Sequence, residues 1–310
     1  MGRLLAALLF ASVIVTLTAC GGGGGTTTGG TTGGGGTTNP TPAVQHVIVV
    51  VFENENYADV IGSPSMPFFN SVAQANGLAT QFYANAHPSI GNYFMMTTGQ
   101  NPTTNDDNWP GPFSGDNVAR ELAAAGKTWK VYAESIPAGY LGGDQGSYVK
   151  HHNPFAYFSD VINSSSQAAN IVPFTQFSTD LASLPNYAFV IPNNVHNGHD
   201  CPNGGATCPL SDRLAAIDSW FNSNFASVLS NSSVMSNTLL IVTFDESATD
   251  NTLGGGRIPV IIAGGKFKTG FQSTTNYQFP SLLRFSMDEL GVSTIPGAGA
   301  SANSMNEFLR

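Results

Sequence analysis

Charged residues and cysteines are scarce in this chain. Of its 310 residues only 10% are charged and three are cysteine, and 11 basic side chains stand against 20 acidic ones, for a formal net charge of −9. The acidic excess argues against a nucleic-acid-binding protein, which presents a basic face to the phosphate backbone. The 35 glycines and 18 prolines disfavour long helices and so argue against a coiled coil.

The first 20 residues, MGRLLAALLFASVIVTLTAC, have the layout of an export signal. Arg3 gives a positive start, and the apolar run at 4–17 covers about 14 residues, fewer than the roughly 20 that span a bilayer. The final LTAC resembles a bacterial lipobox, which implies cleavage after residue 19 and lipid attachment to Cys20. The alternative is an ordinary secretory peptide cut near Ala19, with Cys20 left as a spare thiol.

Residues 21–42 consist almost entirely of glycine and threonine and end in NPTP. Such a segment has almost no side chain to bury and is typical of a flexible tether. We therefore expect a signal peptide at 1–19, a lipidated cysteine and tether at 20–42, and one folded domain at 43–310. This layout predicts an exported protein anchored to a bacterial membrane, at the outer membrane or the periplasmic face, or else a secreted one.

The other two cysteines, Cys201 and Cys208, enclose the short segment CPNGGATC. Because export compartments are oxidising, we expect a local disulfide between them. A zinc site is the alternative, but it needs two further ligands, and only His196 and His199 are near in sequence.

Two β-branched runs, VQHVIVVVF at 44–52 and TLLIVTF at 238–244, indicate strands buried on both faces of a sheet. Further strands are predicted at 128–132, 187–191 and 258–263, and helices at 66–76, 117–125, 211–229 and 280–290. This alternation predicts an α/β domain whose mostly parallel central sheet is flanked by helices. The Ser-, Asn- and Gln-rich segment 159–182 is expected to be a loop excursion.

Polar side chains follow both long runs. Glu53 and Asn54 come after the first, and Asp245 and Glu246 come after the second. Because ligands bind outside the carboxyl ends of parallel strands, we expect these groups at one edge of the sheet. Their oxygens suit a hard divalent cation, which would relieve the repulsion between neighbouring acids. For each pair alone, a polar turn or a capping acid is the alternative.

Ser89, in the segment HPSIGNY, precedes a predicted helix at 90–98. A hydroxyl at a helix N-terminus lies near unpaired N–H groups that favour anions, although a simple N-cap serine has the same pattern. Four of the six histidines lie in two further segments, KHHNPF and PNNVHNGHD. The second of these directly follows a predicted strand, which favours a functional position.

Taken in order, these segments resemble the bacterial phosphoesterase family, which contains acid phosphatases and phospholipases C of the alkaline-phosphatase-like superfamily. The matching motifs are VVVFENENY, HPSIGNY, WKVYAESIP, KHHNPFAYF, PNNVHNGHD and IVTFDES followed by GGGRIPVIIAG, over about 44–292. The resemblance implies an alkaline-phosphatase-like core. It also implies a metal-dependent, acid-phosphatase-like monoester hydrolase that forms a phosphoserine.

The resemblance assigns a metal site and a nucleophile. Glu53, Asn54, Asp245 and Glu246 match the metal ligands, and Ser89 matches the serine that bridges to the metal and attacks phosphorus. One divalent cation is implied, and calcium, magnesium, manganese and zinc all remain open. The implied partner is a phosphoester substrate.

The resemblance also assigns contacts to the phosphate. Asn92 matches an amide that holds phosphate oxygens, with His151 and Lys150 as neighbouring substrate contacts. His152 and His199 match histidines that contact phosphate or protonate the leaving oxygen. One departure concerns His199, because many members have Asp-x-His where this chain reads NGH.

Three alternatives stay open at this point. A phospholipase C-type phosphodiesterase would act on phospholipid head groups. Some phospholipases of the family, however, have a Gly- and His-containing segment after the second acidic pair, where this chain reads SATD. An inactive, surface-displayed binding protein would keep the fold without turnover. A metal-free esterase would use Ser89, His199 and Asp200, but the serine lacks a Gly-x-Ser-x-Gly elbow. The sequence does not specify an oligomeric state.

Overall fold

The computed structural model describes residues 43–106, 109 and 111–310. The expected signal peptide, tether and lipid-anchor residue Cys20 lie outside the described residues. Within the described part, no helix is both long enough and apolar enough to cross a membrane.

The domain is built around a central sheet, which has nine strands within the described residues. They are β1 (His46–Phe52), β2 (Gly77–Tyr83), β3 (Trp129–Ala133), β4 (Ile171–Pro173), β5 (Tyr187–Ile191), β6 (Thr238–Phe244), β7 (Arg257–Ala263), β8 (Phe271–Ser273) and β9 (Tyr277–Gln278). Their order is β4-β3-β5-β1-β6-β7-β2-β8, and β9 pairs with β2. Strand β7 runs antiparallel to β6 and β2, and the other pairings of these strands are parallel.

Helices connect and flank these strands. They are α1 (Tyr57–Val60), α2 (Pro67–Ala75), α3 (Ser89–Thr98), α4 (Val118–Ala124), α5 (Ser159–Ile162), α6 (Ser165–Ala168), α7 (Phe177–Asp180), α8 (Leu210–Ser230), α9 (Ser232–Met235) and α10 (Phe279–Glu289). Helix α2 packs against α8, and α3 packs against α10. The Phe52 ring of β1 meets Trp220 and Phe221 of α8 edge-on, which anchors that helix to the middle of the sheet. The mostly parallel α/β architecture predicted from the sequence is confirmed.

The segment 159–182 differs from the expected loop excursion. It contains the short helices α5, α6 and α7 and the edge strand β4. Ser164 caps α6 by accepting a hydrogen bond from the Gln167 amide, and Phe174 and Phe177 are buried. Its polar composition hid these elements, because caps and a few aromatic anchors hold it in place rather than a regular hydrophobic period.

The sheet topology determines where functional groups can meet. Strands β1, β2, β5 and β6 all point their carboxyl ends toward one edge, because β7 reverses direction between β6 and β2. Strand β1 lies between β5 and β6, and its residues from Val47 to Phe52 are at most 1% exposed. The loops that follow these four strands therefore surround a single site at the carboxyl edge.

Candidate active site

The polar pairs that follow β1 and β6 meet, as the sequence predicted. Phe52 and Phe244 are partners in the parallel register, and the Asp245 amide donates to Phe52 O at 2.9 Å. The Asn54 amide donates to Asp245 Oδ1 at 3.1 Å, with Asn54 in a left-handed conformation at φ 44°. Glu53 and Asp245 are fully buried. Two segments nearly 200 residues apart thus place carboxylates side by side.

Ser89 lies in a third segment of the chain and contacts Glu53 and Asn54. Residues 84–88 lead from the end of β2 into α3, and Ser89 is the first residue of that helix. Its hydroxyl donates to Glu53 Oε2 at 3.1 Å and lies 3.4 Å from Asn54 Oδ1. We call Glu53, Asn54, Ser89 and Asp245 the oxygen cluster.

The oxygen cluster fits a hard cation. One terminal atom of the Asn54 amide lies 3.1 Å from both Glu53 Oε2 and Asp245 Oδ1. If this atom is the nitrogen, the Asn54 amide donates hydrogen bonds to both carboxylates. If it is the oxygen, three oxygens, from Glu53, Asn54 and Asp245, face one another. Asp245 Oδ2 is buried without a hydrogen-bond partner. Buried oxygens that face one another in this way are the donor set that calcium, magnesium and manganese prefer.

No three His, Cys, Asp or Glu side chains among the described residues are arranged to hold a metal ion. The fit to a cation therefore depends on the oxygen cluster, which combines two carboxylates with one amide and one hydroxyl. Such a set is also compatible with the hard-ligand chemistry expected from the sequence.

The acids of this site disfavour one another's charge. Burial raises the pKa of Glu53 well above its ordinary value, and the nearby Asp245 raises it further. Burial also raises the pKa of Asp245 to about 7, against hydrogen bonds from Ser89 and the Asn54 amide. Burial and the charge of Asp245 raise the pKa of Glu246 to about 10. A cation bound among them would favour the charged carboxylates and so oppose these shifts.

Glu246 lies beside the oxygen cluster with its own partners. Its Oε2 accepts from Asn92 Nδ2 at 3.1 Å and lies 3.1 Å from His87 Nδ1. Asn92 Nδ2 also donates to Ala86 O, and Asn92 Oδ1 accepts the amides of Asn85 and Ala86. Both hydrogens of the Asn92 amide are thus donated within the chain, and the phosphate contact that the resemblance implies for Asn92 stays a prediction. Asn92 ties the turn before α3 to Glu246.

Glu53 is supported from behind by Tyr93 and His152. The Tyr93 hydroxyl donates to Glu53 Oε1, which leaves Oε2 for Ser89. The His152 ring stacks on Tyr93 with centroids 5.1 Å apart, and its Nε2 lies 3.2 Å from Glu53 Oε1 without forming a hydrogen bond. Burial lowers the pKa of His152 well below its ordinary value, and His151 and His199 lower it further. A ring that is 2% exposed and neutral serves as packing for Glu53.

Sequence reasoning missed Tyr93 and His87. Tyr93 follows Ser89 by four residues on α3, so the helical period places both on one face, toward Glu53. That spacing is the signal that could have identified Tyr93. His87 opens the HPSIGNY motif and contacts Glu246, but a half-exposed histidine next to proline gives no distinctive pattern.

The two remaining residues of the KHH segment lie beside His152. The His151 ring meets His152 edge-on, with centroids 4.5 Å apart. Lys150 places its Nζ 4.6 Å above the Tyr157 ring, and burial lowers the pKa of its amine while Asp144 partly opposes that shift. Through the contact of His151 with His152, this segment packs against the residue that lies beside Glu53.

His199 occupies a different environment from His152. Its side chain is 47% exposed, and its Nδ1 lies 2.8 Å from Asp200 Oδ1. The loop that carries it is fixed to the site, because the Glu53 amide donates to Asn197 O and Asn197 Oδ1 accepts the His199 amide. Asp200 is therefore the acid in contact with His199, where the NGH sequence has asparagine instead of an acid at residue 197.

Cys201 and Cys208 form a disulfide just beyond this loop, with Cα atoms 5.7 Å apart. This arrangement agrees with the expected local bridge and leaves no thiol pair for zinc. The bridge closes the segment between His199 and α8.

The model of the Phosphoesterase family matches residues 63–292 of this chain. A phosphatidylinositol-3-phosphatase from Mycobacterium tuberculosis is 32% identical over 240 residues, which cover 76% of this chain and 73% of that protein. An acid phosphatase from Aspergillus fumigatus is 30% identical over 261 residues, which cover 76% of this chain and 55% of that enzyme. This chain thus spans little more than half of the fungal protein.

A solved structure shares the fold at low identity. A Vibrio parahaemolyticus protein in the alkaline phosphatase superfamily superposes with a TM-score of 0.60 at 14% identity, covering 87% of this chain and 73% of that chain. The family match covers most of the folded domain and includes Ser89 and the Asp245–Glu246 pair. This chain belongs to the Phosphoesterase family and is a hydrolase of phosphoric esters.

Proposed function

We propose that this chain is a metal-dependent phosphoric monoester hydrolase of the acid phosphatase type, with Ser89 as its nucleophile. The observation that carries the proposal is the position of the Ser89 hydroxyl, which opens α3 and lies 3.1 Å from Glu53 Oε2 within the oxygen cluster. The family relatives support monoester chemistry, because the two described above are named as phosphatases.

Glu53, Asn54 and Asp245 would hold one divalent cation, with Ser89 as a further oxygen and Glu246 alongside. Calcium, magnesium, manganese and zinc are the candidates, and the all-oxygen donor set favours the first three. When bound, the cation supplies positive charge for the phosphate oxygens and lowers the pKa of the serine hydroxyl.

Ser89 and His199 carry out the two proton-coupled steps. Ser89 Oγ forms a bond to phosphorus while the bond from phosphorus to the leaving oxygen breaks, which gives a phosphoserine. Glu53 Oε2, which accepts the hydrogen bond of the Ser89 hydroxyl, orients Oγ and takes its proton as the bond to phosphorus forms. His199, oriented by Asp200 through Nδ1, donates a proton from Nε2 to the leaving oxygen. Water then forms a bond to phosphorus while the bond between phosphorus and Ser89 Oγ breaks. His199 Nε2 takes the proton of the water, Oγ takes its proton back from Glu53, and phosphate departs.

His152 has a positioning role in this proposal rather than the catalytic role expected from the resemblance. It is 2% exposed and packs with Tyr93 on the Oε1 side of Glu53. The pair holds Glu53 so that Oε2 faces Ser89. The ring of His199 is half-exposed, so the proposal assigns the proton transfer to His199.

The nucleophile is tested by trapping. Acid quenching of the metal-loaded protein during turnover of an aryl phosphate should leave one phosphoryl group on the peptide that contains Ser89. Ser89→Ala should lose the trapped group and lower kcat at least about 1,000-fold. The matched control is Ser71→Ala, an exposed serine of α2, which should turn over normally. Full turnover by Ser89→Ala contradicts the assignment.

The substrate class is tested separately with a phospholipid. Liposomes that contain a phosphatidylinositol monophosphate should release inorganic phosphate. Release of a phosphorylated head group, with aryl monoesters inert, would instead identify the phosphodiesterase that the sequence left open. Absence of turnover on both, with no metal bound, would identify the inactive binding protein.

We also propose that the chain is exported and anchored through a lipid on Cys20. The disulfide between Cys201 and Cys208 supports an oxidising compartment. Cys20→Ser should move the protein from the membrane fraction to the soluble fraction of its host and abolish incorporation of labelled palmitate. An unchanged membrane fraction would contradict the lipid anchor.

A further inference from the structure

The N-terminus of α3, where Ser89 lies, already holds a carboxylate of this chain. The Ile90 amide donates to Asp106 Oδ1 at 2.9 Å. Asp106 is half-buried and belongs to the connection between α3 and α4. The residue before the helix, Pro88, provides no side-chain cap, so Asp106 reaches back along the chain to cap the first turn.

The position of this carboxylate matters for the reaction proposed above. Ile90 directly follows the nucleophile, and its N–H lies in the first turn of the ten-residue helix α3. Helix N-termini favour phosphate through such N–H groups. The Ile90 N–H is a backbone donor in the first turn of α3, one residue beyond the Oγ to which the phosphoryl group would be bonded. Asp106 occupies that donor.

The charge of Asp106 also reaches the acids of the site. The raised pKa of Glu246 comes from burial first, then from the charges of Asp245 and Asp106. Burial is also the main cause for Asp245, and Asp106 adds to it. Asp106 therefore lies close enough to Asp245 and Glu246 for its charge to act on them. A like charge this near would also repel a phosphate anion bound at Ser89.

We propose that Asp106 is a specificity-determining residue that competes with phosphoryl oxygens for the Ile90 N–H. The inference depends on Ser89 being the site of phosphoryl transfer. Its consequence is weak binding of inorganic phosphate, the product, which has no leaving group to contribute contacts elsewhere. A phosphoester that gains such contacts can displace the carboxylate, whereas the free product leaves readily.

The competing explanation is a purely structural helix cap. Asp106→Asn separates the two, because asparagine caps a helix about as well as aspartate but carries no charge. Its thermal midpoint should match that of the unaltered protein. Asp106→Ala removes both the cap and the charge, so it should melt at a lower temperature and still bind phosphate more tightly.

The test is calorimetric titration of inorganic phosphate into the metal-loaded protein. Asp106→Asn should lower the dissociation constant about tenfold, because one nearby like charge is removed. The matched control is Asp116→Asn, whose carboxylate accepts the Asn117 amide, and its dissociation constant should not change. Product inhibition during aryl phosphate turnover should strengthen by the same factor in Asp106→Asn alone.

Unchanged or weaker phosphate binding in both Asp106→Asn and Asp106→Ala overturns the inference. Absence of measurable phosphate binding in all variants overturns it as well. The binding assay needs no turnover, so the two proposals fail separately. Loss of the Ser89-dependent reaction would contradict the proposed function, whereas Ser89-dependent turnover with unaltered phosphate affinity would contradict only the role of Asp106.

Discussion

The carboxyl edge of the sheet combines two regions of opposite character. The oxygen cluster lies at strand and helix ends, and Glu53 and Asp245 in it are fully buried. The loop at 193–200 carries His199 with a 47% exposed side chain. Under the proposed function this difference divides the labour: strands fix the charges that must be close together, and a loop carries the group that would exchange protons with water. The predictions that follow test this division.

Asp245→Asn should have the largest effect on the buried side. It removes one ligand charge from the oxygen cluster, so activity should fall at least about 1,000-fold and stabilisation by added divalent cation should disappear. Without metal the variant should melt no lower than the unaltered protein, because a buried charge beside Glu53 is removed. Thermal melts with and without metal and chelator measure both effects. A metal-dependent rise in Tm that survives the substitution would contradict this account.

His199→Ala should have the next largest effect. It should lower kcat for alkyl phosphates about 100-fold, because the leaving alkoxide loses its proton donor. Aryl phosphates with acidic leaving groups should lose much less. Steady-state kinetics over a series of leaving groups measures how the logarithm of kcat depends on the pKa of the leaving group. The comparison variant is His152→Ala, whose loss should be the same for every leaving group, since His152 acts by positioning Glu53. Equal slopes in the two variants would break the distinction between the regions.

Tyr93→Phe should lower kcat about tenfold, because Glu53 Oε1 loses the hydroxyl that holds it. Metal affinity should fall by a similar factor, which calorimetric titration with the cation measures. Tyr83→Phe is a matched control, because its hydroxyl contacts Gln81 outside the site. An unaltered metal affinity in Tyr93→Phe would mean that Glu53 needs no support from behind.

The ion pair between Glu134 and His196 should have the smallest effect. Burial raises the pKa of Glu134, but hydrogen bonds from His196 and the Asn193 amide outweigh it, so the pKa lies below the ordinary 4.5. The pair therefore stabilises the fold above about pH 4.5, and this contribution is lost as the pH falls through the folded-state value. Glu134→Gln should lower Tm by roughly 2 °C at pH 6, with a smaller difference at pH 3.5. A difference that grows toward low pH would contradict the sign.

The sequence predicted the parts of the site that lie at the ends of strongly hydrophobic elements. The runs at 44–52 and 238–244 revealed β1 and β6, and with them the position of Glu53 and Asp245. Strand β2 was missed because Thr80 and Gln81 interrupt its apolar pattern. The carboxyl end of β2 nevertheless lies at the same edge as those of β1 and β6, because β7 runs antiparallel between β6 and β2. No local pattern within one strand indicates that β7 runs in the opposite direction.

The contacts between side chains were the least predictable. Asp200 partners His199 from the adjacent position, and Asp106 reaches Ile90 across a loop. Both are common loop acids with no distinctive spacing. Their roles depend on how loops return to the sheet edge, which tertiary packing decides rather than local sequence. The internal contacts of Asn92 with Ala86 and Glu246 were equally unpredictable from its motif, and the phosphate contact implied for Asn92 stays a prediction.

The most direct measurement is a crystal structure with a divalent cation and vanadate, with the metal located by anomalous scattering. The account predicts one metal peak bounded by oxygens of Glu53, Asn54 and Asp245, with vanadium bonded to Ser89 Oγ. A metal peak elsewhere, or vanadate bound away from Ser89, would contradict it.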